Sequence, residues 1–294
     1  MKTLFVVSPT VDAGLLDAMR TALAACEHGR FEIHAVKPED SIPEIVTRHV
    51  RECGTEMVVA VGGDGTVSSA AHALIGGDVP LGIVPGGTGN LVARELGIPL
   101  DPAAAIALVS GTHNLRKIDA MKIAGRTYLL NAGVGVNAEV ICETSRRGKS
   151  VFGRAAYVAA AVWKVIKAKS HRLEIAIDGV GRVYDAADVL VSNFGALARG
   201  LHPNCPAIAV DDGSVDVCVA CMKDGIEYPW YYFQRSLFPR RAVRVVHELS
   251  ASRSVEIRSE KPLSVQADGD IIGATPVTIE VLPRALAVAV PVRQ

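Results

Sequence analysis

Two glycine-rich turns limit what this chain can fold into. "MVVAV" runs into Gly62, Gly63, Asp64, Gly65 and Thr66 and then a helix-like stretch; 23 residues on, "LGIV" runs into Pro85, Gly86, Gly87, Thr88, Gly89 and Asn90 and another. The spacing fits one strand–helix–strand step. Right-handed crossover puts both turns at the same carboxyl edge of a parallel sheet, where open α/β folds bind ligands. Glycine lets the backbone come close to a ligand, and helix N-termini present unpaired amides to an anion. Side by side, two such turns make a nucleotide site. Each also reads as an ordinary tight turn, with Asp64 or Thr66 and Thr88 capping the next helix.

A carboxylate at the centre of such a turn would repel a phosphate unless a cation lies between them. Magnesium held by Asp64, directly or through water, neutralises charge on the terminal phosphates and answers that objection. Neither turn has the lysine of GxxxxGK[ST]. The "GKS" at Gly148, Lys149 and Ser150 has Glu143 where the first glycine belongs, and no strand precedes it. Gly133, Gly135 and Ala138 fit GxGxxA, but the acidic residue expected about 20 positions later is missing.

The strand–helix rhythm extends from residue 3 to about 110. "TLFVVS", "FEIHAV", "MVVAV" and "PLGIV" read as strands, with helices near 13–27 and 43–53 and over "TVSSAAHALI" and "TGNLVAREL". Strands alternating with helices imply a parallel sheet. Beyond about 115 the pattern becomes period-two runs: "RTYLLNAG", "RLEIAIDG", "RVYDAADVLVSN", "SVDVCVA", "SVEIRS", "PVTIEVL" and "ALAVAVPV". One helix, near 150–169, interrupts them. The expected architecture is an α/β domain over 1–120 and a β-rich, antiparallel domain over 121–294, with the last strand free to pack back near the boundary. At 294 residues and 49% apolar, the chain can build two cores.

Lysine plus arginine balances aspartate plus glutamate at 31 each, so the overall field gives no reason to expect nucleic acid. The opening "MKTLFVVSPT" is too short in apolar residues for a secretory leader, and no segment is long enough to span a bilayer. Cysteines 26, 53, 142, 205, 218 and 221 form no framework, and Cys218 and Cys221 lie on strand-like sequence where residues three apart face opposite ways. A cytoplasmic location is expected.

"GGDGTVSSAAHALI" followed by "PLGIVPGGTGNLVARELGIP" resembles the diacylglycerol kinase catalytic family, the bacterial lipid kinases related to diacylglycerol and sphingosine kinases. "LLNAGVGVNAEV", "GRAAYV", "VSNFGALARGLHPNCPAIAVDDGSVDV" and "VQADGDIIGATPVTIEV" extend the likeness over nearly the whole chain. GGDGT alone also occurs in NAD kinases. Its combination with PGGTGN, DDG and a late DGD carries the specificity.

The resemblance implies a nucleotide-binding α/β domain, a C-terminal β-sandwich, and ATP-dependent phosphorylation of a lipid hydroxyl, most plausibly diacylglycerol or a related long-chain alcohol, in the cleft between them. Carried over by position, Gly62, Gly63, Asp64, Gly65, Thr66, Gly86, Gly87, Thr88 and Asn90 would line the nucleotide, with Thr10 from the N-terminal loop. Asp64 would join a magnesium network and Asp119 would act with it through water. Asp268 corresponds to the general base. Asp270 would be a metal ligand, and Asp212 fits a second, structural metal site. The sequence departs from the family at three places: Ser8, Pro9, Thr10, Val11 and Asp12 stand where the family has Asn-Pro-x-Ser-Gly, Asp270 replaces glutamate, and Leu91 stands where many members have aspartate.

The local readings stay open beside these. Asp268-Gly269 is an ideal two-residue hairpin turn, and Asp211-Asp212-Gly213 is another turn signal. Residues 144–172 hold Arg146, Arg147, Lys149, Arg154, Lys164, Lys167, Lys169 and Arg172 and no acid, bracketing an apolar stretch with Tyr157 and Trp163. That pattern suits peripheral docking on an anionic membrane surface, or a helix covering the β-domain. The aromatic and basic segment 227–244 could extend the same face. An NAD kinase and a non-catalytic nucleotide sensor of the same fold are the competing functions, no GxSxG supports a hydrolase, and the sequence leaves a homodimer open.

Overall fold

The computed structural model describes residues 1–24, 29–136, 138, 169–195, 209–222, 227 and 246–292. The helix expected near 150–169 and nearly all of 227–244 lie outside the described residues. The first half alternates as its apolar periodicity predicts: β1 (Lys2–Val7), α1 (Ala13–Ala24), β2 (Arg30–Ala35), α2 (Ile42–Cys53), β3 (Met57–Gly62), α3 (Asp64–Leu74) and β4 (Leu81–Pro85). The strands pair in parallel in the order β2-β1-β3-β4. β3 and β4 are buried along their whole length, which is why they read as unbroken apolar runs and not as alternating ones.

Two short helices follow, α4 (Leu91–Glu95) and α5 (Pro102–Ser110). The second was not expected. Its alanine-rich sequence has little periodicity, yet its start is well marked: Pro102 opens it, and the Asp101 side chain accepts a hydrogen bond from the Ala104 amide at 2.9 Å.

The second half is built from β5 (Asn114–Ile123), β6 (Arg126–Tyr128), β7 (Asn131–Gly135), β8 (His171–Ile177), β9 (Val180–Ala186), β10 (Asp188–Ser192), β11 (Val215–Ala220), β12 (Val246–Ala251), β13 (Ser254–Ser259), β14 (Ser264–Ala267), β15 (Asp270–Ala274) and β16 (Val277–Val290). Among the described residues, β12-β11-β10-β7-β14-β15 form an antiparallel sheet, while β16, β13, β8 and β9 continue the parallel sheet beyond β4. The two sheets face each other as a sandwich. Met121, Leu173, Ile175, Val255, Ile257 and Ile279 of one meet Val134, Val189, Val191, Val217 and Val265 of the other in a single core.

Two runs that read as single strands change sheets midway. "RTYLLNAG" becomes β6 and β7, and "RVYDAADVLVSN" becomes β9 and β10. At the second crossover Gly135 adopts φ 100°, and a Cβ there would lie 2.4 Å from the Ala187 carbonyl oxygen. Close backbone approach therefore accounts for this glycine of the GxGxxA match. Conversely, "PVTIEVL" and "ALAVAVPV" form one strand, β16, with a register shift between Leu282 and Leu286.

That shift is where the two cores meet. Ile279 and Val281 of β16 belong to the sandwich, whereas Leu286, Val288 and Ala289 belong to the core of the parallel sheet. β16 pairs in parallel with β4 at Val288 and Leu81. Asp119 of β5, fully buried, sits at the changeover. One of its carboxylate oxygens accepts from the Arg284 amide at 2.6 Å and the other from the Gly213 amide at 2.7 Å.

Candidate active site

Both glycine turns lie at the carboxyl ends of neighbouring parallel strands. Their backbones touch: the Gly86 amide donates to the Gly62 carbonyl at 2.8 Å, and a Cβ on Gly87 would lie 2.5 Å from the Gly63 Cα. Asn90, in the left-handed region at φ 48°, closes the second turn, accepting from the Gly87 amide at 3.0 Å and donating to its carbonyl at 2.8 Å. A third loop joins them from β1. The Ser8 amide donates to the Val61 carbonyl at 2.9 Å, and the Ser8 and Thr10 hydroxyls are 2.9 Å apart. Thr10, Gly62, Gly63, Gly65, Thr66, Gly86, Gly87, Thr88 and Asn90 thus belong to one sheet edge.

The N-cap of α3 is Gly63, which has no side chain to cap the first-turn amides. Those amides suit an anion. Asp64 follows as the first helical residue. Its Oδ1 accepts from the Val92 amide at 3.2 Å, which ties the start of α4 to α3, and its Oδ2 faces Gly89. Among the described residues no three His, Cys, Asp or Glu side chains converge as a ready metal cage. Magnesium, however, is usually held by one or two carboxylates together with phosphate oxygens and water. Asp64, with one long amide contact and a second oxygen turned to the other glycine turn, fits that part.

Four groups converge on Asp268, which lies 200 positions further along the chain from Ser68. The residue occupies the left-handed region (φ 48°) at the tip of the β14–β15 hairpin, followed by Gly269 at φ 96°. Its carboxylate is turned inward. Oδ2 accepts from the Leu129 amide at 3.0 Å and from the Ser68 hydroxyl; Oδ1 accepts from the amides of Leu130 at 2.9 Å and Asn131 at 3.0 Å. Burial pushes the Asp268 carboxyl above its usual range, and the bonds from Ser68, Asn131, Leu129 and Leu130 oppose that rise without cancelling it. A hairpin turn and an inward-facing carboxylate coincide here.

Ser68 sits on α3 one helical turn beyond Asp64, so both project from similar faces. α3 thereby links the glycine turns to Asp268. Four residues further on, His72 fastens the same helix to β6: its Nδ1 accepts from the Thr127 amide at 3.1 Å and lies 2.7 Å from the Thr127 hydroxyl.

Asp119, Asp212 and Asp270 have other surroundings. Asp119 holds the β16 shift and the 213 turn. Asp212 Oδ1 accepts from the Ser214 amide at 3.0 Å and hydroxyl at 2.9 Å. Asp270, exposed, opens β15 opposite Ala267, and its charge and that of Asp268 help burial to raise the Tyr128 hydroxyl. Ser68 is the site residue that the sequence reading missed. Its i+4 spacing from Asp64 was the available signal.

Comparison with known proteins places the chain in a family. The diacylglycerol kinase catalytic domain matches residues 11–123, and the YegS C-terminal NAD kinase beta sandwich-like domain matches residues 130–290. The diacylglycerol kinase of Mycobacterium tuberculosis is 31% identical over 250 residues, covering 81% of this chain and 78% of that protein. A Pseudomonas aeruginosa protein named "Probable lipid kinase YegS-like" is 34% identical over 206 residues, covering 69% and 67%. An uncharacterized Synechocystis protein, sll0036, is 30% identical over 245 residues, and the match spans only 56% of its length. In fold, a diacylglycerol kinase from Bacillus anthracis superposes with a TM-score of 0.73 at 22% identity, over 98% of this chain and 96% of that one. The chain belongs to the diacylglycerol kinase catalytic domain family, kinases of the phosphotransferase class with an alcohol group as acceptor.

Proposed function

We propose that this protein transfers the γ-phosphate of ATP to the hydroxyl of a lipid, diacylglycerol or a related long-chain alcohol. The observation that carries this reading is the bridge from Ser68 to Asp268, which joins a helix rooted in the nucleotide turns to a carboxyl group of the sandwich. In a loose phosphoryl-transfer transition state the protein acts mainly by positioning and by charge stabilisation. The backbone of the two glycine turns and the open amides of α3 receive the phosphates. Asp64 would hold magnesium, which supplies charge neutralisation at the phosphate oxygens when bound; Asp270, a ligand in the resemblance, stands apart at the start of β15. Asp268 serves as the base that finally receives the acceptor's proton, and its raised pKa makes it a better one than an ordinary carboxylate. Asp119 contributes at a distance, by fixing the junction of β5 and β16 between the two cores.

Access to lipid is assigned to the basic and aromatic segments 144–172 and 227–244, acting as a peripheral contact with an anionic surface. Among the described residues no helix is long and apolar enough to cross a membrane. Incubation with labelled ATP and magnesium, in one reaction with mixed diacylglycerol and anionic phospholipid vesicles and in another with NAD, tests the reading. Label is expected in the lipid and lost on chelation. Label in NAD would replace this reading with a dinucleotide kinase; nucleotide binding without transfer would leave a sensor. Flotation that does not depend on anionic lipid would remove the membrane contact.

A further inference from the structure

A carboxylate offers about four lone-pair directions. At Asp268 four donors meet them: three backbone amides of consecutive residues and the Ser68 hydroxyl. The amides belong to the segment entering β7 and cannot turn away without remaking the chain there, whereas the hydroxyl rotates about a single bond. A serine in mid-helix commonly returns its hydroxyl to the carbonyl four residues back. Ser68 reaches across to the other half of the molecule instead. Of the four donors, the Ser68 hydroxyl alone stands on the helix that begins in the glycine turns, so it is the donor tied to the phosphate side of the molecule.

We propose that Ser68 is a proton relay between the acceptor alcohol and Asp268. The inference rests on the kinase reading above and adds a residue to it. As the acceptor oxygen bonds to the γ-phosphorus, the bond from that phosphorus to the bridging oxygen of ADP breaks and its electron pair leaves with ADP. The acceptor's proton passes to Ser68 Oγ while the Ser68 proton passes to Asp268 Oδ2. Serine ends neutral and Asp268 ends protonated, to be emptied by solvent before the next turnover. Half-burial of Ser68 leaves it within reach of the cleft.

The test compares wild type, Ser68→Ala, Ser68→Thr and Asp268→Asn in the full-length protein, with labelled ATP, magnesium and diacylglycerol vesicles. Ser68→Ala is expected to lower kcat about ten- to hundredfold, part of the 10²- to 10⁴-fold available to acid–base help, with the KM for ATP unchanged. Ser68→Thr, which keeps the hydroxyl, should recover most of the rate. If Ser68→Ala folds poorly by thermal melt, Ser68→Val, which has the shape of threonine without the hydroxyl, replaces it with the same expectation. A Ser68→Ala rate equal to or above wild type overturns the relay, since the alcohol then reaches Asp268 unaided. A wild type that phosphorylates no lipid overturns the kinase reading itself, and full activity in Asp268→Asn overturns the base that the relay serves.

Discussion

Gly87 has no room for a methyl group. A Cβ would come within 2.5 Å of the Gly63 Cα, and that neighbour is backbone, so the two turns would have to separate. Gly87→Ala is expected to lose about 100-fold in kcat/KM for ATP, the scale of an ångström's misplacement, while the acceptor's KM stays near wild type. Steady-state kinetics at varied ATP would check this, and an unchanged ATP dependence would mean that the second turn does not touch the nucleotide. Asp268 shows why local sequence left two readings open: Asp-Gly is a good hairpin tip and a good cleft residue for the same reason, its placement at a projecting end. The donors around it come from residues 68 and 129–131, and no pattern within ten residues of Asp268 could have revealed them.

At the scale of elements, α3 carries the most consequence. It begins in the nucleotide turn, presents Ser68 to the β14–β15 hairpin, and is fastened to β6 by His72 and Thr127. Thr127→Val removes the hydroxyl at 2.7 Å from the His72 ring and keeps the amide bond. It should cost about 1 kcal/mol, seen as a fall in Tm of about 2–4 °C, and kcat should fall with it as Ser68 loses its footing. A normal kcat at reduced Tm would show that α3 does not need this anchor. The helices and strands of the first half were legible because strands buried along their length give unbroken apolar runs between turn signals. α5 was not, although Asp101 and Pro102 marked its start. The splitting of "RTYLLNAG" and "RVYDAADVLVSN" between sheets was hidden as well, since period two persists on both sides of each crossover.

The molecule as a whole carries a pH-dependent strain in the sandwich. Burial first, and then the charges of Asp212 and Glu248, push the Asp216 carboxyl up to about 6. An unfolded aspartate titrates near 3.9. Between these values the folded protein keeps a proton that the unfolded chain has lost, so stability falls as pH rises from about 4 to about 6 and stays lowered above that. Asp216→Asn should therefore leave stability nearly unchanged at pH 4 and raise it at pH 8 by about 1 kcal/mol, once solvent screening at this half-buried position is allowed for. Thermal melts at the two values decide it; an equal gain at both would mean that charge is not the cause. The general layout, an α/β half and a β-sandwich half with the glycine turns at one edge, was readable from periodicity. The use of Asp119 at the junction was not, because its partners at 213 and 284 adjoin it only after both halves have formed.

The position of β16 beside β4 has a consequence for biosynthesis. Residues 277–290 complete the edge of a sheet whose preceding strand ends at Pro85. On a ribosome working at roughly 5–20 residues per second, the nascent α/β half waits about 10–40 s with that flank bare. An uncovered strand edge is a template for pairing with a stranger. Fragments that stop before residue 277 should accordingly emerge as chaperone clients.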